Sequence, residues 1–486
     1  MSRTRKALPP AHEGTQAALT GAWREPLERD LLPPFLAHQR WFGAKDQQIG
    51  SVTLTPLAEL DAGCALCVVD LSLSDEDQRY FLPLAVQGWT SAGMVADVGA
   101  DGALVDGANV PDVAQALLDG MRAGSVLPTG LGDMEFEGSD ALRALETGVP
   151  RLLAVEQSNV ALVFGQEVIL KLYRRLRRGI QPEVEMARHL TGPDGFAQTP
   201  ALLGSIALHE GDEITTLAAA FAFAPNQGDA WSHVTRLLAQ QDVRDDTGID
   251  LIRCLGKRTG DLHRALARAS DDPDFAPQPI STSDLADWTG EALDDLDSAL
   301  DTLGRATLDA RAAPLAKRVL DAQSELRERI SRAASLPPSG QCTRIHGDYH
   351  LGQVLVTGSD VAIIDFEGEP RRSLAARRAK TAQLRDVAGM IRSLDYAARS
   401  AERDGADSTQ IGAWRKRAGQ AYLSAYEAAM DGVAARPDPD LHRALLDLFL
   451  IQKAAYEIGY ELANRPGWAH LPLAGLLALT KGGTDA

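Results

Sequence analysis

The chain has 486 residues, 45% of them apolar and 24% charged, and its 49 Lys and Arg stand against 67 Asp and Glu for a formal charge of −18. That length predicts two to four folded units, and so acidic a surface repels nucleic acid and anionic membranes, so an anionic ligand needs a local basic pocket. No apolar run approaches the ~18 residues of a membrane span, and the basic start Met1-Ser2-Arg3-Thr4-Arg5-Lys6 lacks the hydrophobic stretch of a signal peptide, so a cytoplasmic protein is expected. The N-terminal segment turns from polar to helical and runs into the aromatic-rich stretch Pro33 to Phe42. Short strands follow at Val52–Leu54, Ala65–Leu73 and Tyr80–Val86, with a turn at Asp75-Glu76-Asp77. Cys64 and Cys67 have CxxC spacing, but on a strand positions three apart face opposite sides, so they are expected to be core residues rather than a metal pair. A helix is expected near Val113–Met121.

A second β-rich block starts at Arg151, with strands at Leu152–Val155, Val160–Phe164 and Val168–Tyr173. Glu183–Leu190 reads as a helix opened by Pro182, and Ile214–Phe223 as an apolar strand ending at Ala224-Pro225-Asn226. Arg174-Arg175-Leu176-Arg177-Arg178 reads as a solvated loop after the third of these strands. Beyond Pro225 the pattern is helical: Leu285, Trp288, Leu293, Leu296, Leu300 and Leu303 recur at spacings that make one apolar face. The fold class is therefore α+β, with a β-rich N-terminal half and a helical C-terminal half.

The chemistry concentrates in Arg344-Ile345-His346-Gly347-Asp348-Tyr349-His350-Leu351-Gly352-Gln353, followed by Val361-Ala362-Ile363-Ile364-Asp365-Phe366-Glu367-Gly368. Phosphoryl transfer needs an acidic group that orients the acceptor hydroxyl and oxygen ligands that hold Mg²⁺. Asp348 fits the first role; Gln353 offers a neutral carbonyl and Asp365, at the end of an apolar strand, a charged ligand. Glu367 follows closely and can take a second Mg²⁺ or a hydrogen bond. A buried polar turn without catalysis is the bland alternative. The pattern resembles the HxDxxxxN…DF(D/E) signature of protein-kinase-like and aminoglycoside-phosphotransferase-like enzymes, with Gln353 where most members carry Asn.

That resemblance assigns partners in the N-terminal half. Lys171, on an apolar strand, is expected to reach the ATP phosphates, and Glu185 on the following helix to pair with it, Glu183 pointing elsewhere. No glycine-rich loop is visible; Ser158 and Asn159 occupy its place, and Phe223-Ala224-Pro225 is the stretch whose backbone would meet adenine. Gln39-Arg40-Trp41-Phe42-Gly43-Ala44-Lys45, Phe366-Glu367-Gly368-Glu369-Pro370, Leu384-Arg385-Asp386 through Tyr396, and Tyr456-Glu457 through Tyr460-Glu461 to Pro466 resemble bacterial maltokinases along essentially the whole chain. The resemblance implies a bilobal protein-kinase-like fold: an N-terminal cap subdomain over 1–92, an intermediate subdomain over 93–224 completing the nucleotide-binding N-lobe, and an all-helical C-lobe over 225–486. It implies transfer of phosphate from ATP, with Mg²⁺, to the anomeric hydroxyl of maltose, and a trehalose isomerase as a partner protein. Arg385, Tyr456, Glu457 and Tyr460 would lie around the acceptor, and His350 would either hold the loop or touch the sugar. Trp41 and Phe42 are expected to anchor the cap core. A related kinase acting on glucosamine or glucose, and a nucleotide-binding regulator without turnover, are the rival readings; intact Asp348 and Asp365 argue against the second.

Overall fold

Continuous apolar runs in the first half become strands buried on both faces, and the turn-rich stretches between them become hairpins. The computed structural model describes residues 8, 15–60, 63–88, 90, 93–99, 102–153, 159–192, 195–239, 246 and 248–480. The chain forms two units, Met1–Arg188 with Pro200–Ala224, and His189–Thr199 with Pro225–Ala486.

In the first unit, β1 (Ile49–Leu60), β2 (Cys64–Leu73), β3 (Gln78–Phe81), β4 (Leu84–Gln87), β5 (Met94–Asp97) and β6 (Ala103–Asp106) precede α1 (Pro111–Ala123). Then come β7 (Val126–Pro128), β8 (Asp133–Gly138), β9 (Pro150–Leu152), β10 (Asn159–Phe164), β11 (Val168–Tyr173), β12 (Arg175–Leu176), α2 (Pro182–Leu190), β13 (Leu202–Glu210) and β14 (Glu213–Ala222). One sheet runs β12-β3-β2-β4-β6-β5 with β1 also on β2, and the other runs β7-β8-β13-β14-β11-β10-β9. The first sheet is covered on both faces. Trp23, Leu27, Leu32 and Leu36 pack on one side, and Val113, Leu117 and Met121 of α1 on the other. Cys67 belongs to the first of these cores and Cys64 to the second, as alternation along β2 requires. Burial pushes the Cys64 thiol up to about 12, the behaviour of a core residue and not of a metal ligand.

Two expectations change here. The first sheet has no seam at 92/93, because β4 and β5 on either side of that point both pair with β6. The basic run is not a solvated loop: Arg175 and Leu176 pair with Tyr80 and Arg79 as a strand of the first sheet. Arg174 is fully buried, ion-paired to Asp106, with its guanidinium 4.8 Å from the Trp41 ring centroid. Trp41 and Phe42 both lie 5.6 Å from Tyr80, so the aromatic stretch serves the core of this unit.

The second unit is built from α3 (Ala230–Leu238), α4 (Ile249–Leu266), α5 (Thr282–Arg305), α6 (Leu384–Arg403), α7 (Ser408–Ala429), α8 (Pro439–Asn464) and α9 (His470–Thr480), with shorter helices among them. Ser281 and Asp284 form a capping box that starts α5. A Cβ at Gly256 would sit 2.2 Å from the Tyr422 carbonyl oxygen, so glycine is what lets α4 and α7 approach. The unit is helical but not all-helical: Gln278–Pro279 pairs with Gln341–Cys342, and Val354–Thr357 pairs with Asp360–Ile363. Among the described residues no helix is long and apolar enough to cross a membrane.

Candidate active site

The hairpin Val354–Thr357/Asp360–Ile363 carries the signature loop at both ends. Asp386, buried in the first turn of α6, accepts the backbone N–H of His346 at 2.8 Å and of Gly347 at 2.9 Å, and lies 3.2 Å from His263 Nε2. Burial alone would raise this carboxyl, but the hydrogen bond and charge of His263 and the Gly347 N–H bring it below its ordinary range. His346 Nε2 lies 2.9 Å from the Ile364 carbonyl and so carries the proton, leaving Nδ1 to accept the Asp348 N–H at 3.4 Å. A Cβ at Gly389 would come within 2.6 Å of the Tyr349 carbonyl, so this glycine lets the loop seat on α6. The Gln353 carbonyl accepts the Ile364 N–H at 3.0 Å, which brings Gln353 beside the chain that leads into Asp365. Asp365 is the one non-glycine among the described residues at positive φ, 68°. Asp tolerates that left-handed geometry better than most residues, and such strain concentrates where a side chain must be aimed.

Asp348 opens onto a cavity lined also by Asp295 of α5, Arg385 of α6, Glu369 and Arg372 of the intervening segment, and Phe449, Gln452, Lys453 and Tyr456 of α8. Lys453 Nζ lies 3.6 Å from Asp348 and 5.0 Å from the centre of the Tyr456 ring. Burial would lower this lysine, yet the carboxylates of Asp348, Glu369 and Glu457 hold it above its ordinary value, so it is a fixed cation. Burial and the nearby Arg372 lower Arg385, which pairs with Glu291 at 3.2 Å and lies over Phe449 at 5.0 Å.

Of the residues predicted for the acceptor, Arg385 and Tyr456 line this cavity and three do not. The His350 ring turns back into its own loop, where Nδ1 accepts the Gly352 N–H at 3.0 Å. Glu457 is drawn into a buried ion network, 2.6 Å from Arg392, which also pairs with Asp395 at 2.8 Å. Tyr460, one helical turn from Tyr456, is 37% exposed and stacks on it at 6.5 Å. Sequence reasoning missed Asp295, Glu369, Arg372, Phe449, Gln452 and Lys453. Gln452 and Lys453 stand at helical spacing from Tyr456 and could have been found from it. Asp295 sits among many acidic residues on α5, where no local signal distinguishes it.

In the first unit Lys171 lies in the middle of the second sheet, opposite Ala161 of β10 and Ala219 of β14. Its Nζ donates to both carboxylate oxygens of Glu183, at 2.9 and 2.8 Å, and the Tyr173 hydroxyl donates to the same group at 2.9 Å. Glu183 therefore takes the place expected for Glu185. The two are one position apart from adjacent on α2, a rotation of ~200°, so only one can meet the strand. Asn159 opens β10 opposite Tyr173, while Ser158 lies outside the described residues. The Phe223 N–H donates to the Glu167 carbonyl at 2.8 Å.

Residues 35–121 match the maltokinase N-terminal cap domain, and residues 150–368 match the phosphotransferase enzyme family. A glucosamine kinase of Streptacidiphilus jiangxiensis is 27% identical over 66% of this chain and 71% of its own length. A glucosamine kinase of Mycolicibacterium smegmatis is 26% identical over 69% of this chain and 80% of its own. The structure of a glucosamine kinase in complex with glucosamine, ADP and inorganic phosphate superposes with a TM-score of 0.68 at 22% identity, over 92% of this chain and 98% of that one, a likeness of fold. The protein has a kinase-like α+β fold. The two matches follow one another along the chain, a segment similar to the maltokinase N-terminal cap and then one similar to the phosphotransferase enzymes.

Proposed function

We propose that the protein is a sugar kinase that transfers the γ-phosphoryl group of ATP to the anomeric hydroxyl of maltose, giving maltose 1-phosphate. The observation that carries this reading is the placement of Asp348 at a cavity walled by carboxylates, guanidinium groups, an amide and two aromatic rings, the side chains that bind polyhydroxylated rings. Asp348 orients the reacting hydroxyl and takes its proton as the O1–P bond forms and the bond to the ADP oxygen breaks. Lys171, fixed by Glu183, steadies the nucleotide phosphates; Asn159 and the Phe223 carbonyl are further nucleotide contacts. Gln353, Asp365 and Glu367 form an oxygen donor set that suits Mg²⁺, and the aim of Asp365 at positive φ agrees with such a role. When bound, that ion supplies charge neutralisation for the phosphates.

Maltose is favoured by the cap-domain match and by the charge of the cavity wall, where Arg372, Arg385 and Lys453 offset most of the carboxylates. A neutral disaccharide enters such a wall without adding a charge to it. The names of the relatives favour glucosamine as the second reading. A trehalose isomerase that supplies maltose is the partner the first reading implies. ADP release measured across maltose, glucose and glucosamine decides between them: kcat/KM for maltose should exceed the others by about 10²-fold. Equal or better turnover of glucosamine overturns the maltose assignment, and turnover retained by Asp348→Asn overturns the role of Asp348.

A further inference from the structure

We infer that Asp295, held by Gln452, is the carboxylate that selects the acceptor, receiving hydroxyl groups of the part of the sugar that does not react. The inference rests on the sugar-kinase reading and adds a residue that no motif singles out. Asp295 projects from α5 into the cavity that Asp348 faces, and Gln452 Nε2 of α8 donates to it at 2.8 Å. The other carboxylates of that wall are already engaged. Asp348 has Lys453 at 3.6 Å, Glu369 has Arg372 at 3.2 Å, and Asp386 has the His346 and Gly347 N–H groups with His263. Among the described residues the group bonded to Asp295 is a neutral amide. A carboxylate offers about four acceptor positions, so most of those on Asp295 remain open.

Burial raises the Asp295 carboxyl, which marks a group already stripped of much of its water, and hydroxyl donors from a ligand would restore what is lost. Arg372, Arg385 and Lys453 share the wall with its carboxylates, and hydroxyls are the donors that a neutral sugar brings to Asp295. The bland alternative is a clamp between α5 and α8. It predicts that loss of Asp295 weakens the fold and leaves the sugar KM alone.

The test uses the full chain and the ADP-release assay, with maltose, glucose and glucosamine as probes and ATP varied separately. Asp295→Ala should raise the KM of the best sugar by about 10–10²-fold, compress the preference among sugars, and leave the KM for ATP within about twofold. Asp295→Asn keeps one acceptor oxygen and should recover part of the loss with a neutral sugar. If Asp295→Ala does not fold, Gln452→Ala leaves the carboxylate present but unheld and should raise the sugar KM by a smaller factor. An unchanged sugar KM in folded Asp295→Ala, or in folded Gln452→Ala if the former is lost, overturns the inference in favour of the clamp. A loss in Asp295→Asn confined to glucosamine also overturns it and assigns an ammonium site. If the wild-type chain prefers a sugar other than maltose, the maltose reading fails, and the same split between the two KM values on that sugar still decides Asp295.

Discussion

Replacing Asp386 by Asn keeps the shape of the side chain and removes its charge. In the structure three donors converge on this buried carboxylate: the N–H groups of His346 and Gly347 at 2.8 and 2.9 Å, and His263 Nε2 at 3.2 Å. An amide presents one oxygen and one NH₂, so at least one donor would face another donor. A hydrogen bond to a charged group contributes about 1.5–3 kcal/mol, and a buried donor left unpaired costs about 1–3 kcal/mol, so a loss of ~3 kcal/mol is expected after partial relaxation. At roughly 2–4 °C per kcal/mol for a unit of this size, the thermal transition of the second unit should fall by about 6–12 °C. The loop that holds Asp348 hangs on these bonds, and kcat should fall by about 10²-fold, the cost of a misplaced catalytic group. Thermal denaturation and the ADP-release assay measure the two effects. Because the folded state holds Asp386 below its ordinary carboxyl range, its stabilisation is present at neutral pH and is lost as pH falls through the folded value. The substitution should therefore flatten the acid limb of the stability profile. A variant with an unchanged transition and normal kcat would refute this account of the loop.

Glu183→Gln should raise the KM for ATP by about 10–10²-fold by releasing Lys171, and Glu185→Gln by clearly less; the reverse order would return the pairing to Glu185. Removing one partner of the buried Arg174–Asp106 pair, as in Arg174→Met, should cost about 3–5 kcal/mol, read by denaturant unfolding, whereas Arg178→Met at the exposed end of the same run should change little. Burial, with Arg436 and Arg443, lowers the His442 imidazole to about 4. The unfolded chain then binds the extra proton between about pH 6.5 and 4, so stability should decline by up to about 3 kcal/mol as pH falls across that window. His442→Gln should remove that slope, and an unaltered slope would show that other groups set it.

The sequence by itself determined what depends on neighbours in the chain. Strand alternation placed Cys64 and Cys67 on opposite faces, in two different cores. The motif from His346 to Gln353 and the apolar strand ending at Asp365 stood out in the sequence, and the hairpin of the structure brings their ends together, because a short hairpin leaves the ends of its strands side by side. Lys171 was singled out through the family resemblance, on a strand whose neighbours are apolar. Only the tertiary structure decided the rest. Glu183 and Glu185 share one helix, and their choice is fixed by the rotation of α2 against β11, which no local pattern encodes. Arg174 looked like its exposed neighbours until the fold placed Asp106 and Trp41 against it. Glu457 and His350 carried the right chemistry for a sugar site, yet Arg392 and the Gly352 N–H are nearer. Asp295, Gln452 and Lys453 reach the cavity of Asp348 from helices far apart in sequence. Periodicity fixes which face of a helix is apolar or charged; which charges meet, and so which remain open to a ligand, follows from how the helices pack.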